Sequence, residues 1–132
     1  MDCEKLLDEF YRVCPELRRT VEKKFQEGNI EMSDGDVIVW AIGVMDCVMP
    51  LFANTSKYSD TLDAVFSVIE WIAIETRNTT KEVLISTFTC FLNEEQVIPE
   101  ALSRMGPETR KFWDEYMEYL HQFRLWKLSQ LQ

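Results

Sequence analysis

The sequence predicts an all-α fold: a single domain spanning residues 1–132, a bundle of six or seven helices, with stacked helical hairpins as one arrangement open to it. Three observations carry the prediction. Apolar residues recur at the 3.6-residue period rather than alternating, as a helix with one buried face requires. Helix-entry residues stand before these runs, with expected N-caps at Ser33, Ser59, Thr79 and Asn93. With only four Gly and four Pro in 132 residues, the breaks are few and well separated.

The stretch from Asp60 to Asn93 organises the rest. It reads as two long helices joined by a turn at Thr76 to Thr79. The first sets Asp63, Ser67, Glu70 and Arg77 on one narrow polar stripe and crowds Leu62, Val65, Phe66, Ile69, Ile72 and Ala73 opposite it. The second repeats this with Glu82, Ser86, Thr89 and Asn93 against Val83, Leu84, Ile85, Phe88 and Phe91. Helices with so little polar surface must be covered on two sides, so this hairpin is expected in the interior.

In chain order, Leu6, Leu7, Phe10 and Val13 mark a short first helix that Pro15 interrupts. Pro15 can open a second helix carrying Leu17, Val21 and Phe25, which ends at Gly28-Asn29. Its Arg18, Arg19, Lys23 and Lys24 interleave with Glu16, Glu22 and Glu27 at ion-pair spacing, a solvated face rather than a binding patch. Val37 to Ala53 contains one charge, Asp46, and Pro50, which should kink or end the helix near Met49. The acid, the proline and the short length favour a buried soluble helix over a membrane span, with a strand at Val37-Ile38-Val39 as the alternative. Apolar on every side in sequence, Asp46 is expected to be buried and hydrogen-bonded. A further short helix runs from Asn93 to about Met105, and Gly106-Pro107 is a break. Beyond it Phe112, Tyr116, Tyr119, Phe123 and Trp126 recur at intervals of four and three, an aromatic seam that either completes the core or forms a homodimer or partner contact.

Charge and motifs narrow the function classes. The net charge is −9, and residues 29 to 103 hold three basic against twelve acidic side chains, so the imbalance lies in the middle of the chain. Such a body is repelled by phosphate backbones and anionic membranes, so neither nucleic acid nor membrane is an expected partner and a basic protein is. There is no glycine-rich phosphate loop, no nucleophile elbow and no HExxH pattern, hence no cofactor is called for. Four cysteines without CxxC spacing and a single His121 give no metal ligand set. Cys47 and Cys90, inside apolar runs, read as reduced structural thiols, while Cys3 and Cys14 are less defined. Asp46 and Glu70 are the only carboxylates with an apolar setting suited to acid–base work, and capping or hydrogen bonding explains both more simply. The chain is therefore expected to have no catalytic residues. Asn54-Thr55-Ser56 and Asn78-Thr79-Thr80 match glycosylation acceptors but are better explained as helix ends. The first ten residues do not form a secretory signal, and a cytoplasmic location is expected.

Phe10 with Cys14-Pro15-Glu16, the run Val65-Phe66-Ser67-Val68-Ile69-Glu70, and Met105-Gly106-Pro107-Glu108-Thr109-Arg110 followed by Trp113 resemble a group of small, acidic, uncharacterised bacterial α-helical proteins, some of which look like immunity proteins for secreted toxins. The resemblance implies a non-enzymatic cytoplasmic protein that binds one partner. Two functional expectations follow: an acidic immunity protein or inhibitor that masks a basic toxin domain, or a helical adaptor or oligomerisation module using the aromatic last helix. For the first, the antiparallel hairpin should gather Asp60 and Asp63 beside Glu94 and Glu95, with Tyr58 at the same edge, as the partner-binding rim.

Overall fold

The fold is seen in a computed structural model that describes residues 2–75 and 81–131. Seven helices and no strand are present among the described residues. They are α1 (Cys3–Val13), α2 (Arg18–Glu27), α3 (Asp36–Asn54), α4 (Ser59–Glu75), α5 (Glu82–Asn93), α6 (Ile98–Arg104) and α7 (Pro107–Gln130). Single 3₁₀ turns at Pro15–Leu17, Met32–Asp34 and Glu95–Val97 lead into α2, α3 and α6. The expected turn at Thr76 to Thr79, with the Thr79 cap, Arg77 and the Asn78 acceptor, lies outside the described residues.

The hairpin of α4 and α5 is the centre. α4 touches α1, α5, α6 and α7, while α5 lies against α3, α4 and α6. On α4, Leu62, Val65, Phe66, Val68, Ile69, Ile72 and Ala73 are buried, and Asp63 and Ser67 face solvent, as the periodicity requires. Phe66 and Phe91 stack across the two helices with Phe52 of α3 edge-on to both.

α3 runs the full length of the apolar stretch as a helix, so the strand alternative at Val37-Ile38-Val39 does not occur. Its middle, Val39–Met45, is a π-helical segment, and the last six residues tighten into 3₁₀ geometry. Pro50 thus changes the winding without ending the helix. Within the π segment, position 43 is glycine because the ring of Phe25 occupies the space any Cβ would need. Trp40, fully buried, donates from Nε1 to Thr87 Oγ1 at 2.8 Å, and Thr87 donates on to Val83 O at 3.0 Å, which pins α3 to α5 without an orphaned polar group. By length and composition α3 could cross a membrane; within the fold, Val39, Trp40, Val44, Met45 and Val48 are buried by their neighbours.

Two expectations are corrected here. Asp46 is exposed, its side chain half accessible, and pairs with Lys24 at 3.4 Å. Ile38, Ile42, Asp46 and Pro50 recur every four residues on the outward face of α3, so apolar neighbours in sequence did not become neighbours in space. Ser33 is not the N-cap of α3. Glu31 and Asp34 form a reciprocal capping box around the preceding turn, which leaves Ser33 inside it.

Candidate functional site

α7 begins in the core and leaves it. At its start Thr109 and Trp113 are buried, and Phe112, Tyr116, Met117 and Leu120 are half-buried. From His121 to Leu131 every residue is exposed. At 1.5 Å per residue the helix is about 36 Å long, of which roughly the last 15 Å has no cover from the body.

The first turn is fixed by Glu70 of α4. Its Oε2 accepts from the Glu108 N–H at 3.0 Å, and its Oε1 accepts from the Thr109 N–H and hydroxyl, both at 2.8 Å. This carboxylate accepts from amides that, in the first turn of a helix, have no intrahelical acceptor, and meets the positive end of the helix dipole. Gly106 makes room for it, since a Cβ there would sit 2.5 Å from Glu70 Cδ. Two of the motifs singled out in the sequence, Val65 to Glu70 and Met105 to Arg110, therefore meet at one capping contact. Both carboxylate oxygens of Glu70 are engaged in this contact.

Along the helix the aromatic seam forms a continuous ladder. Phe88 of α5 stacks on Tyr116 at 6.1 Å between centroids, Tyr116 on Tyr119 at 6.3 Å, Tyr119 on Phe123 at 6.4 Å and Phe123 on Trp126 at 6.0 Å. The ladder starts inside and ends outside: Tyr119 is 61 %, Phe123 43 % and Trp126 58 % accessible. Lys127 lies 5.5 Å over the Phe123 ring. Where the ladder leaves the body, a groove of ≈ 350 Å³ opens between α5 and α7, walled by Leu84, Ile85, Phe88, Phe112, Tyr116 and Tyr119. Lys81 and Glu115 face each other across its lip at 3.9 Å. The periodicity pointed to the rings; the α5 wall that makes a groove of them could not be read from α7 alone.

The acidic rim is placed less simply. Asp63 is exposed but bound by Arg104 Nη1 at 2.6 Å; the same guanidinium donates to Ser59 O at 3.0 Å and to Glu100 Oε2 at 3.2 Å. Tyr58 is half-buried with Lys57 5.2 Å above its ring. Glu94 follows the last residue of α5, Asn93, and stands beside Pro50 and Val97, in a cleft that also reaches Glu100. Asp63 is thus tied to Glu100 through Arg104, two residues outside the expected set. Asp60, Glu94 and Glu95 are exposed and make no ion pair among the described residues. Arg104 was missed because its partner Asp63 is 41 residues away; the local signal available was only its i,i+4 spacing from Glu100.

The cysteines are all free thiols. Cys14, expected to be ambiguous, is fully buried, and desolvation with the nearby Glu16 pushes its thiol up to about 12. Burial, then Asp46 and Glu94, raises Cys90 as well. A thiol held protonated is a poor nucleophile, so these positions act as apolar filling. No cluster of metal-ligating side chains occurs among the described residues. The chain matches no family model, no curated protein and no solved structure.

Proposed function

We propose that this is a non-catalytic protein-binding module whose contact element is the projecting half of α7, which corresponds to the adaptor or oligomerisation reading of the sequence. The carrying observation is the exposed ring ladder Tyr119, Phe123 and Trp126 on a helix that has left its own core. Contiguous aromatic surface of this kind costs free energy in water and is recovered when a partner covers it, at roughly 25 cal/mol per Å². A triple variant, Tyr119→Gln, Phe123→Gln and Trp126→Gln, tests the assignment by thermal unfolding at high dilution. An unchanged midpoint, with lower retention on a hydrophobic matrix, supports a contact face. A fall of more than about 4 °C, equivalent to roughly 1 kcal/mol in a domain this size, makes the rings part of the fold and removes the proposal.

A second reading, an acidic immunity protein or inhibitor of a basic toxin domain acting in the cytoplasm, is supported by the exposed charges of Asp60, Glu94 and Glu95, which make no ion pair among the described residues, on a chain of net charge −9. It is weakened by Arg104, which already neutralises Asp63. Its test is reversal of Asp60, Glu94 and Glu95 to Lys. Binding to lysozyme as a basic protein probe should fall and lose its salt dependence; equal binding by the reversed protein would eliminate the rim.

A further inference from the structure

The exposed face of α7 is close to self-complementary. Tyr119 and Phe123 lie two residues on either side of His121, and Tyr116 and Trp126 lie five on either side. When two such helices run antiparallel across a two-fold axis at residue 121, Tyr119 of each meets Phe123 of the other, and Tyr116 meets Trp126. Antiparallel helices pair core positions in this crossed way, and a two-fold interface uses the same patch twice. Charge follows the same division. Asp114, Glu115 and Glu118 precede the centre, whereas Arg124 and Lys127 follow it. An antiparallel pair lays the acidic half along the basic half and opposes the helix dipoles, while a parallel pair sets like against like.

The groove supplies the third observation. In this register the partner's Trp126 arrives opposite Tyr116, one wall of the ≈ 350 Å³ groove between α5 and α7. Building on the contact role proposed for this face, we infer that its occupant is a second copy of this chain, in an antiparallel two-fold pair centred at His121. Each Trp126 enters the groove formed by Leu84, Ile85, Phe88 and Tyr116 of the other copy. Six exposed rings, at about 150–250 Å² each when whole and about half of that already covered, contribute on the order of 600 Å². That is well below a standard interface of roughly 1,600 Å², with the groove walls and helix flanks adding to it, so the pair dissociates on dilution.

Sedimentation equilibrium of the full chain across the micromolar range should show a monomer–dimer equilibrium. Phe123→Glu and Trp126→Glu should each be monomeric at the same concentrations with unchanged far-ultraviolet circular dichroism. In a sample mixing isotope-labelled and unlabelled chains, filtered nuclear Overhauser spectra should connect Trp126 of one copy to Tyr116 and Phe88 of the other. A wild-type chain that stays monomeric throughout overturns the second-copy inference while leaving the contact face intact. A dimer that persists in both glutamate variants, or whose intermolecular contacts join Trp126 to Trp126, overturns the register. Co-sedimentation with phosphatidylcholine vesicles without self-association overturns both this inference and the protein-contact reading beneath it.

Discussion

Glu70 accepts three hydrogen bonds from the first turn of α7. Glu70→Ala should leave two helix amides and the buried Thr109 hydroxyl without an acceptor, at a cost of about 2–3 kcal/mol from the lost cap and the unsatisfied donors. Urea unfolding measures it. Glu70→Gln keeps one acceptor oxygen and should recover part of the loss; an alanine variant within roughly 0.5 kcal/mol of wild type would show the cap to be dispensable. Glu70 also shows what a single sequence conceals. Its place on the polar stripe of α4 was legible, but the stripe gives a direction and not the element that lies there. Asp46 is the converse case. All sixteen other residues of the run Val37 to Ala53 are apolar or small, yet Asp46 faces water beside Lys24, because burial is decided by which elements pack against α3, α2 and α5 among them.

At the scale of elements, existence and order were legible and winding was not. Four helix junctions fall near breaks visible in the sequence: Pro15, Gly28-Asn29, the polar segment before Asp60, and Gly106-Pro107. α4 and α5 were legible down to their buried residues because each carries a polar stripe that orients it. α3 has no such stripe on its middle turns, so its facing could not be assigned, and the close approach of Phe25 to Gly43 within the π segment comes from another helix. Cap positions shifted for a related reason. Asn93 closes α5 rather than opening α6, and the short 3₁₀ turn Glu95–Val97 takes the entry role, its geometry set by Val97 packing into the core. For α7 the 3.6-residue period revealed the aromatic face but not that the second half of that face has no neighbour. Periodicity identifies a side of a helix; only the length of the helices it crosses determines where its cover stops.

Across the whole molecule, charge was legible as a total but not as a set of pairings. The acidic excess lies between residues 29 and 103, and the expected rim treats Asp60, Asp63, Glu94 and Glu95 as equivalent. Tertiary structure distinguishes Asp63 from the other three, because Arg104, from just outside that interval, links α4 to the end of α6 through Ser59, Asp63 and Glu100. The Arg104 side chain is only 11 % accessible, whereas the Asp63 and Glu100 side chains are 63 % and 45 % accessible. The two ion pairs are thus largely solvated at their acidic ends and individually worth about 0–1 kcal/mol. The greater part of Arg104's contribution should come from its partly buried donors, including the bond to Ser59 O, and from the apolar stem they hold in place. Arg104→Met keeps most of that stem and removes the donors, so the expected cost is about 1.5–3 kcal/mol by denaturant unfolding. It also leaves Asp63 and Glu100 facing each other without a cation. That repulsion is screened by salt, so the variant should regain part of its deficit between low and physiological ionic strength while the wild type changes little. A deficit under 0.5 kcal/mol would show that the link does not hold α4 to α6. A full deficit that ignores salt would assign it to the Ser59 bond and to packing, and would return Asp63 to the set of charges open to a basic partner.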